Sequence, residues 1–161
     1  EVPRAPQEGS EPAPAYDIQD LVHSALQLVV LAKRLGQEVR KVKEEYGKLN
    51  LSSVLVLADY YKEVERLAVT AEKVKDQMVK HLIELASLVP INREDFIRAL
   101  NILHSLNPYD LDSILATVAN DNFLEVYTSL VLGAITARTG TPPPPVFVPI
   151  PLQQTQGTAK P

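Results

Sequence analysis

Residues 18–46, IQDLVHSALQLVVLAKRLGQEVRKVKEEY, carry the clearest signal for the fold class of this protein. Their apolar side chains recur at alternating intervals of three and four, which keeps them on one face of an α-helix. These positions are Ile18, Leu21, Ala25, Leu28, Ala32, Leu35, Val39, Val42 and Tyr46. Asp17 is a suitable N-cap before the stretch, and Gly47 is a suitable helix end after it. The pattern predicts one amphipathic helix about 43 Å long.

A second heptad pattern follows after a short link, residues 48–52. Its positions are Leu57, Tyr60, Val64, Leu67, Ala71, Val74, Met78, His81, Leu85 and Leu88. Ser52 or Ser53 can begin this helix and Pro90 must end it, which gives a length of about 54 Å. So short a link favours an antiparallel pair of helices. We interpret His81 as a core or interface histidine, with a ligand or pH-switch role as the alternative.

Three shorter helices are expected after Pro90. Asn92 can cap the first, Asn107 and Pro108 can open the second, and Asp121 or Asn122 can open the third. No stretch between them alternates as a β-strand does. The sequence therefore predicts an all-α fold, a long antiparallel helical hairpin plus three shorter helices in a body of residues 17–140. The expected helices span about residues 17–46, 53–88, 93–106, 108–119 and 122–138.

Two proline-rich arms flank the helical body. Residues 1–16 are acidic and rich in proline, so we expect them to be extended. Because residue 1 is Glu, we also expect that the N-terminus has been trimmed by proteolysis. Residues 141–161 begin with a run of prolines that favours polyproline II, yet they are apolar. An apolar extended segment usually lies in a groove of its own body or of a partner. The residues expected to make subunit contacts are Val146, Phe147, Val148, Ile150 and Leu152.

Composition and motifs exclude several functional classes. The chain lacks cysteine, so neither disulfides nor thiolate metal sites are possible. No apolar run approaches the length of a membrane span, so a membrane partner is not expected. His23, His81 and His104 stand apart in sequence, and the clustered carboxylates lie at helix starts and among lysines. The sequence contains no nucleophile elbow and no glycine-rich phosphate loop. We therefore expect neither an enzyme nor a cofactor.

A cluster of cations lies in the second half of the first helix. Residues 33–48 carry six Lys or Arg and three Glu, although the whole chain has a net charge of −4. Five of these cations, which we call the basic strip, lie within the predicted helix: Lys33, Arg34, Arg40, Lys41 and Lys43. A solvated flank of a coiled coil explains the strip most simply. Contact with the phosphates of a nucleic acid duplex is the sharper alternative, and an anionic membrane surface is a third.

The long hairpin, the two arms and the local basic strip together resemble the helical major coat proteins of filamentous viruses of hyperthermophilic archaea, of the tristromavirus and rudivirus kind. In that family, helical subunits wrap linear double-stranded DNA and extended arms reach neighbouring subunits. The resemblance is architectural and covers residues 17–138. It implies a capsid protein located in the virion, a structural subunit of a helical filament. Its partners would be further copies or a homologous coat subunit, with DNA along the basic strip.

Other functions remain open from the residues alone. A helical-bundle adaptor could bind a partner protein through the heptad faces of its two long helices. A lipid-associating amphipathic bundle and an all-α enzyme are further alternatives. Disordered arms and a complex of fixed stoichiometry would favour the adaptor, whereas arm-mediated polymers would favour the coat subunit.

Overall fold

The computed structural model describes residues 18–139 and builds them into five α-helices. These are α1 (Ile18–Gly47), α2 (Val54–Leu88), α3 (Arg93–His104), α4 (Leu111–Ala116) and α5 (Asp121–Thr139). No β-strand occurs among these residues, and α1 packs against α2 along its length. The predicted all-α class and the long helical hairpin are therefore confirmed. The two arms, with the expected contact residues 146–152, lie outside the described residues.

The two long helices run antiparallel, as the short link between them predicted. Near the link, the rings of Tyr46 and Tyr60 lie 5.4 Å apart, and further along Arg66 Nη1 lies 2.9 Å from Glu38 Oε1. The 30 residues of α1 correspond to a length of about 45 Å, and the 35 residues of α2 to about 52 Å. The predicted face of α1 is buried from Leu21 to Val42. The face supplies most of the apolar core that α1 shares with α2.

The buried face of α2 departs from its heptad pattern at the C-terminal end. Leu82 is fully buried there, whereas His81 is half-buried and Leu88 is exposed. A straight α-helix has 3.6 residues per turn and drifts by about 20° per heptad relative to a 3.5-residue repeat. Over several heptads the drift moves the core from the column of His81 to that of Leu82. His81 consequently lies at the edge of the core.

The shorter helices close the bundle on one side of the hairpin. α5 packs against α1 and α3, and α3 also packs against α2, so α1, α2, α3 and α5 surround one core. Tyr127, Leu124 and Val131 of α5 are buried in it, together with Leu103 of α3. The caps are local: the side chain of Asn92 accepts a hydrogen bond from the amide of Asp95 at 3.0 Å.

The fourth helix is shorter than predicted. It begins at Leu111 rather than at residue 108, because Asp110 is its N-cap. The side chain of Asp110 accepts hydrogen bonds from the backbone amides of Asp112 and Ser113. Asn107 instead forms a turn, in which its side chain accepts the amide of Tyr109 at 3.3 Å. The helix ends before Thr117, whose φ and ψ of −125° and −99° leave the helical region.

The direction of α5 determines at which ends of the bundle the start of α1, the end of α5 and the α1–α2 link lie. Gly36 of α1 meets Ala119 just before α5 begins, and later in α5 Gly133 lines a cavity with Pro90 and Asn92. α5 therefore runs antiparallel to α1. The start of α1 and the end of α5 lie at one end of the bundle, and the α1–α2 link lies at the other. None of the helices within residues 18–139 is both long and apolar enough to cross a lipid bilayer.

Candidate assembly surfaces

The cations of the basic strip are all exposed, but the structure divides them between different faces of α1. Lys33 and Arg40 share one face, and Arg34 and Lys41 share another that is turned by about 100° around the helix axis. Lys43 forms an ion pair with Asp112 of α4. The cations therefore do not make one continuous strip.

Lys33 and Arg40 line one wall of a cleft of about 540 Å³ between α1 and α5. The opposite wall carries the carboxylates of Asp121 and Glu125, although no ion pair within 4 Å joins the two walls among the described residues. Negative charges on the facing wall of the cleft offset the attraction of the two cations for a distant polyanion. Lys33 and Arg40 are consequently the less favourable pair for contact with a nucleic acid.

Arg34 and Lys41 have no ionic partner among residues 18–139 and point into solvent. Glu38 lies near them on α1, but its carboxylate is held by Arg66 of α2 at 2.9 Å. Arg66 also binds Glu63 at 2.9 Å, and the hydrogen bonds that its guanidinium donates to the Glu38 and Glu63 carboxylates raise the pKa of the guanidinium. Because Glu38 is paired with Arg66, its carboxylate does not neutralise Arg34 or Lys41. This pair is the best placed of the five cations for phosphate contact.

Among residues 18–139, the two most exposed large apolar side chains lie beside the link of the α1–α2 hairpin. We call residues 46–61 the hairpin tip. Val54 and Leu55 in the first turn of α2 are each 79% exposed, and Leu49 and Tyr61 are at least half exposed beside them. The link itself is ordered by Asn50, whose side chain accepts the amide of Ser52 at 3.0 Å. An exposed apolar cluster of this kind on a protein surface usually marks a contact with another molecule.

Three tyrosine rings form one edge of the hairpin tip. The centroid of Tyr60 lies 5.4 Å from that of Tyr46 and 5.7 Å from that of Tyr61, with both ring pairs tilted. Tyr46 and Tyr60 are half-buried against the core, while Tyr61 is exposed. The cluster therefore combines a rigid aromatic base with an accessible aromatic surface.

A second surface runs along the open side of the α1–α2 hairpin. Two neighbouring cavities of about 420 and 440 Å³ share Leu28, Leu31 and Gln77 as lining residues. In the first cavity, His81 Nδ1 and Glu84 Oε1 are out of contact with solvent and have no hydrogen-bond partner among the described residues. Burial lowers the pKa of His81, so its neutral form is favoured. We call this surface the open groove.

No contact role was predicted from the sequence for Leu49, Val54 and Leu55, the exposed aliphatic residues of the hairpin tip. The signal was present, since residues 54–57 read VLVL and only Leu57 belongs to the heptad face. A run of apolar residues around a whole helix turn exceeds what one neighbouring helix can cover. Here α1 covers only one side of the turn, so Val54 and Leu55 stay exposed.

The described residues hold no group of three His, Asp or Glu side chains that could bind a metal ion. Three exposed surfaces are candidate contact sites: the face of Arg34 and Lys41, the hairpin tip and the open groove. Comparison of the chain with protein-family models, with curated proteins and with solved structures finds no match.

Proposed function

We propose that this protein is a self-assembling structural subunit of a filament, and specifically a coat protein that packs around linear double-stranded DNA in a virion. The observation that carries the proposal is the hairpin tip, which places Val54 and Leu55 in solvent at one end of an elongated body. An isolated monomer gains nothing from an apolar, exposed helix start. A subunit that stacks on another copy buries it.

The shape of the helical body supports end-to-end assembly. The two long helices, of 30 and 35 residues, are longer than the roughly 39 Å diameter of a compact sphere of this chain length. The hairpin tip marks one end of the body, and both arms leave from the other. An elongated subunit with different surfaces at its two ends is suited to a head-to-tail contact, which produces an open filament when the rotation does not close.

The DNA part of the proposal rests on Arg34 and Lys41. Two cations on one subunit bind a duplex weakly, and the net charge of −4 opposes attraction at long range. In a filament the same face repeats along the polymer, so that many such pairs contact one continuous duplex. Each neutralised phosphate releases counterions, which makes the binding strongly dependent on salt.

Electron microscopy of the purified full chain tests the assembly proposal. We expect filaments whose abundance rises with protein concentration, and sedimentation velocity should show the matching growth in mass. Linear duplex DNA added at low salt should be protected from nuclease within these filaments. A monodisperse monomer across the whole concentration range, with and without DNA, would reject the proposed function.

The open groove favours a second candidate, a helical-bundle adaptor that binds a partner protein. Leu31 is 41% exposed over the groove, and the unpaired atoms of His81 and Glu84 would gain partners if a further helix lay there. For an adaptor, Leu31→Glu should abolish a complex of fixed stoichiometry. Polymers that persist in Leu31→Glu would instead assign assembly to another surface.

A further inference from the structure

We infer that the hairpin tip of one copy binds residues 146–152 from the C-terminal arm of the next copy. This inference rests on the proposed function and names the contact that would join the subunits. Its starting point is the placement of the two elements. The hairpin tip and the end of α5 lie at opposite ends of the helical body, because α5 runs antiparallel to α1.

The distance between these two ends keeps the arm from covering the tip of its own molecule. α5 has 19 residues and extends about 28 Å from the level of Gly36, and α1 continues about 16 Å in the other direction from Gly36 to Gly47. The hairpin tip therefore begins about 45 Å from the end of α5.

The arm is too short for this path. Residues 140–152 span at most about 45 Å when fully extended, so only Leu152 could draw level with Gly47. Val146 could lie no further than about 24 Å from the end of α5. The apolar part of the arm must therefore leave most of the tip of its own molecule uncovered. A neighbour stacked end to end would bring its tip to the place where this arm begins.

The chemistry of the two elements matches. Residues 141–159 carry no charged side chain, and the apolar stretch VFVPIPL lies next to four consecutive prolines. Prolines donate no backbone hydrogen bond, so the arm is poorly suited to pairing as an added β-strand. Proline-rich segments in the polyproline II conformation characteristically dock on aromatic-lined surfaces. The hairpin tip offers such a surface in its three tyrosines, beside Val54 and Leu55.

A pair of complementary variants tests the contact. The tip variant, Val54→Glu with Leu55→Glu, places acidic residues in the exposed first turn of α2, where the helix dipole tolerates them. The arm variant is Phe147→Glu with Ile150→Glu. Each variant alone should fail to polymerise, because each lacks one half of the contact. Mixed together, they should form a one-to-one complex through the intact arm of the tip variant and the intact tip of the arm variant.

Matched controls carry the same added charge elsewhere. Val69→Glu with Ile83→Glu changes residues of α2 that are 50% and 54% exposed away from the tip, and Gln153→Glu with Gln154→Glu changes the polar part of the arm. Both controls should polymerise as the unaltered chain does. Circular dichroism verifies that every variant keeps its helical content. Polymers formed by either the tip or the arm variant, or a mixture that stays monomeric, would overturn the inference.

A peptide experiment separates this inference from the proposed function. A fluorescent peptide of residues 141–152 should bind saturably to the full-length arm variant, and at least tenfold more weakly once Val54→Glu and Leu55→Glu are added. Filaments of the unaltered chain without specific peptide binding would support the proposed function and reject the arm–tip contact. Specific peptide binding without filaments would support the contact and reject the filament.

Discussion

Gly36 of α1 lies so close to Ala119 that a Cβ atom on residue 36 would be 3.2 Å from the Ala119 Cβ. The approach brings the segment between α4 and α5 directly onto the backbone of α1. Glycine at this position therefore serves packing, although it weakens the helix by roughly 1 kcal/mol relative to alanine.

Substitutions of Gly36 should be less favourable than the same substitutions at Gly133, where nothing lies within 4 Å of an added Cβ. Gly133→Ala should raise the free energy of unfolding by about 0.5–1 kcal/mol through helix propensity. Gly36→Ala should lose that gain to the contact with Ala119, and Gly36→Leu should destabilise by about 1–3 kcal/mol through overpacking. Urea denaturation measures all three. An equal gain for alanine at both positions would show that the segment of Ala119 yields easily.

Removing the hydroxyl of Tyr127 should stabilise the bundle. Tyr127 is fully buried, burial raises the pKa of its hydroxyl, and the oxygen has no hydrogen-bond partner among the described residues. Because an unpaired buried polar group is destabilising, Tyr127→Phe should raise the free energy of unfolding by about 1 kcal/mol. Tyr109→Phe, at a residue 63% exposed, is the control and should change nothing. A clear loss of stability in Tyr127→Phe would reveal a partner for the hydroxyl, such as a bound water.

The stability of the fold should fall as the pH drops below about 6.5, the ordinary pKa of histidine. Burial lowers the pKa of His81 in the folded state, against the opposing effect of Glu84, while Lys80 lowers it further. The unfolded chain then binds a proton at a higher pH than the folded chain does. Stability contributed by neutral His81 is complete above pH 6.5 and declines until the folded pKa is passed.

The His81→Gln variant tests this pH dependence, because it keeps a polar side chain but cannot titrate. The groove around His81 otherwise presents uncharged residues of α1, namely Ser24, Gln27, Leu28 and Leu31. Thermal unfolding between pH 5 and pH 8 should show a smaller decline for the variant than for the unaltered chain. His23→Gln, at an exposed position on α1, is the matched control. Parallel declines in all three proteins would assign the pH dependence to other groups.

Neutralising the two faces of the basic strip should affect DNA binding unequally. Arg34→Gln with Lys41→Gln removes the solvent-facing pair. The plot of log K for DNA binding against log salt should become less steep by about 2. Lys33→Gln with Arg40→Gln makes the same change in charge but removes cations that already face Asp121 and Glu125. Its effect on the slope should be below about 1. Equal effects of the two variants would point to net charge rather than to a contact face.

Local interactions allowed the sequence to predict the helices, the cap of α3 and the pairing of the two long helices. Hydrophobic periodicity is a property of neighbouring turns, so the buried face from Leu21 to Val42 could be predicted without a partner. The same holds for the cap at Asn92, whose acceptor and donor lie three residues apart. The antiparallel hairpin could be predicted because a short link favours that arrangement. The contact proposed for residues 146–152, which lie outside the described residues, stays a prediction.

Only the tertiary structure decided how the surfaces are used, because burial and charge pairing depend on elements distant in sequence. Lys43 pairs with Asp112, which lies 69 residues away, and Lys33 and Arg40 face carboxylates of α5. Leu82 rather than His81 lies in the core, because a straight helix drifts relative to a heptad repeat. Which residue is then buried depends on the position of the helix packed against it. The exposure of the hairpin tip also depends on elements that are distant in sequence. The sequence shows that Val54 and Leu55 are apolar, and the lengths and directions of the other helices leave them uncovered.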